Sequence, residues 1–177
     1  MRPYVLLDRD DTLVRDVGYP HRVEDYHLLA GAGAALRRLA QAGYRLALVT
    51  NQSGIGRGYY GFAEFARFQS LLYADLAREG VAFDAAFLCP HRPDEGCACR
   101  KPMPGLVLRA RDVLAIDLRR SWFVGDRESD VESARRAGCG GAVRVGVADP
   151  RAASDRLALE ARDLAGAADA ILRYGTP

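Results

Sequence analysis

The sequence predicts a Rossmann-like three-layer α/β/α sandwich with a mostly parallel sheet, and three observations predict it. Short apolar runs alternate with helix-period segments along most of the chain. Polar or glycine residues bound each apolar run. Polar clusters directly follow four of the runs, at the strand ends where an open parallel sheet gathers its ligands. A repeat of strand then helix requires right-handed crossovers, which lay helices over both faces of the sheet.

The first strand is predicted at Tyr4 to Leu7, YVLL, and is stopped by the charged DRDD. Gly33 to Ala42 follows as a helix carrying Leu36 and Leu39 on one stripe. Arg45 to Val49 is the second strand, and Phe62 to Glu79 a long helix with Phe65, Phe68 and Leu72 at helical spacing. Ala85 to Leu88 is the third strand and Leu106 to Leu114 its helix. Trp122 to Val124, a helix from Asp130 to Ala137 and a strand from Ala142 to Val145 complete the alternation. The tail from Asp155 to Tyr174 is predicted helical, with a short strand near Leu157 to Leu159.

A chain of 177 residues, 49% of them hydrophobic, fills one core, so a single domain spanning 1–177 is expected. The net charge of +2 comes from interspersed acids and bases, which leaves no basic field for nucleic acid. The apolar run after Met1 is too short for a signal segment, and no stretch approaches the roughly 18 to 20 apolar residues of a membrane span. A cytoplasmic location is expected, with neither membrane nor nucleic acid as partner.

The informative residues are those after each strand: DRDDT (Asp8 to Thr12), TNQSG (Thr50 to Gly54), the segment ending in Arg100 and Lys101, and GDRESD (Gly125 to Asp130). Taken singly, DRDD reads as a solvated turn, and the GD segment as a helix cap made by Asp126 or Asp130. Together, Asp8, Asp10 and Asp126 bring carboxylates to one sheet edge, and their repulsion gives magnesium, a hard cation that favours oxygen ligands, a reason to bind. Thr50 adds a hydroxyl and Lys101 a positive charge. Nucleophile, cation, donors for equatorial oxygens and a proton donor are the parts phosphoryl transfer requires.

Cys89, His91, Cys97 and Cys99 form a C-x-H-x5-C-x-C pattern, holding three of the four cysteines. A disulfide, a set of free thiols and a zinc site compete. Cytoplasmic redox disfavours the first, and the spacing favours zinc, whose four-ligand closed set would be structural. Cys139 lies far along the chain, in AGCGG, and is expected to be a small packed residue.

The motifs LLDRDDT, VTNQSG, the lysine of CRKP, and VGDRESD, in that order, resemble the haloacid dehalogenase superfamily of phosphatases over about Tyr4 to Val145. The resemblance implies that Asp8 forms an aspartyl phosphate, that Asp10 protonates the leaving oxygen and then activates water, and that Thr50 and Lys101 bind the transferring group. It further implies that magnesium is held by Asp8, Asp126 and the Asp10 backbone carbonyl. Asp11 departs from the pattern, since the nearest branches carry glycine there, and the local loop geometry is the feature this bears on. The cysteine loop leading into CRKP resembles the capless branch that contains heptose-bisphosphate and histidinol-phosphate phosphatases. That branch implies a small sugar-phosphate substrate and a monomer. It places Asp16, Val17, Gly18, Tyr19, Asn51, Gln52 and Ser53 around the substrate, while Arg100, Arg127 and Arg57 could hold a second phosphate through forked hydrogen bonds, each against the plainer reading of a surface charge, which is most credible for Arg57. VTNQSGIGRGYY and DVGYPH are closer to the heptose side, which implies hydrolysis of a C7 phosphate on the route to nucleotide-activated heptose. GDRESD is closer to the histidinol-phosphate side, the alternative.

Overall fold

A computed structural model describes residues 1–151 and 155–175. Its sheet has six parallel strands in the order β3-β2-β1-β4-β5-β6, where β1 is Tyr4–Leu7, β2 Arg45–Asn51, β3 Ala85–Cys89, β4 Trp122–Gly125, β5 Gly141–Arg144 and β6 Leu159–Glu160. Six helices accompany it: α1 Ala32–Gln41, α2 Ser53–Gly56, α3 Phe62–Arg78, α4 Gly105–Leu114, α5 Glu128–Ala137 and α6 Leu164–Tyr174. No helix of the described residues is long and apolar enough to cross a membrane.

Period-2 alternation in the strands builds two cores. Val5 and Leu7 of β1, with Leu46 and Leu48 of β2, pack on Leu36 and Leu39 of α1, Phe68 and Leu72 of α3, and Ile171 of α6. Tyr4 and Leu6, with Ala47 and Val49, face the opposite way, onto Val107 and Ala110 of α4 and Val131 and Ala134 of α5. The central strands β1 and β4 are thus buried on both faces, as their continuous apolar runs require, while the edge strands β3 and β6 are only partly covered. Cys139 is packed in the second core, where burial pushes its thiol up to about 12.

Strand order runs outward from β1 through β2 to β3 on one side, and from β4 to β6 on the other. The reversal lies between β1 and β4, which are joined side by side by the pairings Val5 to Trp122 and Leu7 to Val124. Diverging connections leave a crevice outside the carboxyl ends of these two strands. The tail differs in detail from its expected form. A 3-10 turn at Arg156–Ala158 precedes the short strand Leu159–Glu160, and α6 starts only where Asp163 caps it by accepting from the Gly166 amide at 2.9 Å.

Candidate active site

Asp8 is the first residue beyond β1, and its amide donates to the Val124 carbonyl of β4 at 2.9 Å, which ties the loop to the crevice. The chain then turns back on the Arg9 carbonyl, which accepts from Leu13 at 2.9 Å and Val14 at 3.1 Å. Among the described residues no amide is bonded to the Asp10 carbonyl. Asp11 occupies the turn with φ of +52°, a left-handed conformation that glycine adopts without strain and aspartate tolerates better than most residues. Its side chain supports the adjoining loop by accepting from the Asp16 amide at 2.8 Å. Aspartate is thus accommodated at this turn.

Asp8, Asp126 and Asp130 bring carboxylate oxygens within 4.8 Å of one another. Burial, then the Asp8 and Asp130 charges, push the Asp126 carboxyl up to about 6, and its Oδ1 is buried without a protein partner. Both features fit a divalent cation, which would relieve the repulsion and satisfy the oxygen. Asp130 is otherwise engaged: it accepts the Arg127 amide at 3.0 Å and meets Lys101 Nζ at 2.6 Å. Sequence reasoning had it only as a possible helix cap. Its second role was invisible, because the pairing with Lys101 bridges two strand ends.

Lys101 is buried, 3% exposed, and its ammonium touches three acceptors: Asp130 Oδ1 at 2.6 Å, the Val49 carbonyl at 2.9 Å and Asp8 Oδ1 at 3.0 Å. Burial opposes the charge, but the Asp130 and Asp8 carboxylates hold its pKa above the ordinary lysine value. The backbone of Lys101 is clamped by Asn51, whose Nδ2 donates to its carbonyl and whose Oδ1 accepts its amide, both at 3.1 Å. Thr50 is buried behind the cavity wall and accepts from Gln52 Nε2 at 2.9 Å. Burial pushes the Asp10 carboxyl above its usual range, against the pull of Arg9, which suits a group that must carry a proton near neutral pH.

Asp8, Asp10, Lys101 and Asp130 open onto a cavity of about 470 Å³, within the size range of small-molecule sites, whereas Thr50 and Asp126 are not part of its lining. Its wall contains Asp8, Asp10, Lys101 and Asp130 at the floor motifs, with Asp16, Gly18, Tyr19, Ser53, Arg100 and Arg127 from the other predicted stretches. Val17 does not belong to it: its side chain is half exposed, because the chain reverses through Gly18 and Tyr19, both at positive φ. Arg57, for which an ordinary surface charge was the competing reading, does line it; the short helix α2, unforeseen in the sequence, returns it to the wall. Tyr60, Pro93 and Ser129 also line the wall and were missed. Arg127 lies 3.4 Å from Asp126 and 3.5 Å from Asp16, joining the α5 start to the loop after β1.

The Cys89 segment forms a compact knot. Sγ of Cys99 is 3.3 Å from that of Cys89, 3.4 Å from that of Cys97 and 3.2 Å from His91 Nδ1, while Cys89 is 3.6 Å from Cys97 and 3.5 Å from His91. A tetrahedral metal with bonds of zinc–thiolate length spaces its sulfur ligands about 3.7 Å apart, so the four donors fit such an ion with little movement. All four cysteines are free thiols rather than a disulfide. Arg100 reaches back into the knot, donating to the His91 carbonyl at 3.4 Å, and Lys101 follows directly.

The HAD-hydrolase-like family model matches residues 98–168. A D-glycero-beta-D-manno-heptose-1,7-bisphosphate 7-phosphatase of Yersinia pestis is 38% identical over 165 residues, covering 89% of this chain and 88% of that protein. The protein of the same name from Escherichia coli strain K12 is 39% identical over 155 residues, covering 84% and 81%. Among solved structures, the D,D-heptose 1,7-bisphosphate phosphatase of B. bronchiseptica, complexed with magnesium and phosphate, superposes with a TM-score of 0.85 at 32% identity, covering 97% of this chain and 98% of that one.

Proposed function

The chain belongs to the haloacid-dehalogenase-like phosphatases, a family of phosphoric monoester hydrolases, and from that premise we propose that it removes the C7 phosphate of D-glycero-D-manno-heptose 1,7-bisphosphate, on the route to nucleotide-activated heptose. The observation that carries this is one cavity with carboxylates and Lys101 at its floor and three arginines, Arg57, Arg100 and Arg127, in its wall. A bisphosphate needs cationic contacts beyond the reacting centre, and guanidinium forks supply them. Asp16, Gly18 and Tyr19 face the sugar between the two ends.

Asp8 Oδ1 is fixed by the Arg9 amide at 2.8 Å and by Lys101 at 3.0 Å. Oδ2 has no protein hydrogen bond among the described residues and is the oxygen free to face phosphorus or metal. Attack of the Asp8 carboxylate forms the aspartyl phosphate as the ester P–O bond breaks, and Asp10 gives its proton to the departing sugar oxygen. In the second half Asp10 takes a proton from the water that attacks phosphorus, and Asp8 is released. Lys101 and Thr50 hold the equatorial oxygens, Lys101 handing over one of its three protein contacts as the phosphate enters. Asp8, Asp126 and the Asp10 carbonyl would hold magnesium, which neutralises charge on the transferring group.

Phosphate release from heptose bisphosphate is expected to exceed that from histidinol phosphate by at least about 10²-fold in kcat/KM, because the smaller monoester leaves the arginines unpaired. Faster turnover of histidinol phosphate would overturn the heptose assignment. Zinc is the proposed occupant of the cysteine knot, so elemental analysis of the purified protein is expected to give one equivalent per chain. Stripping it with a strong chelator is expected to lower the melting temperature, whereas removing magnesium stops turnover and leaves the fold in place. Folded, active protein without zinc would exclude the structural role.

A further inference from the structure

We propose that Gln52 is a positioning residue that aims the Asp10 acid, and not a ligand of the substrate. Its amide offers two N–H donors and two acceptor lone pairs. Nε2 donates to Asp10 Oδ2 and to Thr50 Oγ1, both at 2.9 Å, and Oε1 accepts from Arg9 Nη2 at 3.0 Å and from the Tyr60 hydroxyl at 2.6 Å. Although Gln52 lines the cavity, it is only 2% exposed, and it has no hydrogen-bonding capacity left for a ligand.

Arg9 fixes which way the amide points, because a guanidinium has no acceptor and must face Oε1. Arg9 is itself immobile. It is fully buried, packed over the rings of Phe68 at 4.7 Å and Phe65 at 5.4 Å, and it also donates to the Pro20 carbonyl at 3.1 Å. With Oε1 turned to Arg9 and Tyr60, Nε2 has to face Asp10 and Thr50, so one side chain sets both the acid and a phosphate-binding hydroxyl.

The same contacts select the working oxygen of Asp10. Oδ2 accepts from Gln52 Nε2 at 2.9 Å and lies 3.1 Å from Arg9 Nη2, whose two N–H groups are shared among Oδ2, the Pro20 carbonyl and Gln52 Oε1. Oδ1 accepts only Arg9 Nε, at 2.8 Å. The second lone pair of Oδ1 is where the acid proton resides. That proton passes to the leaving oxygen as the ester bond breaks, and the same lone pair takes the proton of the attacking water when the aspartyl phosphate is hydrolysed. This inference rests on Asp10 being the acid, as proposed above.

Gln52→Leu and the milder Tyr60→Phe test it against substrates of graded leaving-group basicity: heptose bisphosphate, p-nitrophenyl phosphate and dinitrophenyl phosphate. A sugar alkoxide needs a proton to leave, whereas a dinitrophenolate does not. Gln52→Leu is expected to lower kcat/KM, which reports formation of the aspartyl phosphate alone, about 10- to 100-fold on the sugar phosphate without a large rise in KM, the loss in kcat/KM shrinking below about threefold on dinitrophenyl phosphate. Tyr60→Phe is expected to show the same gradient with a smaller loss, and it serves alone if the leucine variant does not fold. A large rise in KM with kcat retained would make Gln52 a substrate ligand and overturn the proposal, as would equal losses on all three esters. Asp10→Asn separates the two levels. If it shows no gradient, the acid assignment fails; if it does and the Gln52 and Tyr60 variants do not, the positioning role alone fails.

Discussion

Replacing Asp8 by asparagine is expected to reduce phosphate release at least about 10⁴-fold while the protein folds and its metal content at the cysteine knot stays that of the parent. The substitution preserves shape, removes the proposed nucleophile, since an amide oxygen does not form a stable acyl phosphate, and takes one charge from the proposed magnesium ligands. Stability is expected to hold or rise. Asp8 lies in a crowd of carboxylates that raises the Asp126 carboxyl, and removing one charge relieves that repulsion. Lys101 retains Asp130 and the Val49 carbonyl, so its charge stays compensated. The measurements are steady-state phosphate release, elemental analysis and a melting curve on the same preparation. A variant within about tenfold of the parent rate would exclude the aspartyl-phosphate route.

The strand pattern was legible because β1 through β5 carry continuous apolar runs, most of them buried, which pattern registers within a residue or two. Strand-helix alternation gathered Asp8 and Asp126 on one edge of a parallel sheet, but that their strands β1 and β4 are neighbours was not in the sequence pattern. What stayed hidden was chain reversal over a few residues. Helix α2 is four residues long, too short for a periodic signal, yet it decides that Arg57 faces the cavity. The positive φ at Gly18 and Tyr19, which leaves Val17 outside the wall, is likewise a local backbone property that a motif match passes over.

The buried polar network was the least legible part. Arg9 reads in sequence as one more arginine between two aspartates, and the expectation for such a residue is solvent. Its burial depends on Phe65 and Phe68 of α3, more than fifty positions away, and on Gln52 at the end of another strand. Asparagine and glutamine in TNQSG have the chemistry of substrate ligands. Only their partners show that Asn51 clamps the Lys101 backbone and that Gln52 is saturated by protein groups.

Lys101→Met is expected to destabilise the fold by about 3–5 kcal/mol as well as stop catalysis, because it leaves a buried carboxylate uncompensated. Lys101 is the only lysine among the 25 basic residues of the chain. Its ammonium lies within 3.0 Å of three acceptors that converge from different elements, Asp8 after β1, the Val49 carbonyl in β2 and Asp130 in α5. A planar guanidinium cannot present three donors in that arrangement, so Lys101→Arg is expected to be as inactive as the methionine variant. The pH dependence follows in sign. Burial already raises the Asp130 carboxyl, with Lys101 holding it down. Without the lysine its folded pKa rises further above the unfolded value, so the folded state binds a proton that the unfolded chain releases. Stability is then retained at low pH and lost as pH rises, and the variant's deficit is expected to be larger at pH 8 than at pH 5. Asp130→Asn added to Lys101→Met removes the orphaned charge and is expected to recover much of the stability without recovering turnover. Denaturant melts of the two variants at both pH values measure this, and a deficit independent of pH would mean that lost packing, not the unpaired carboxylate, is its source.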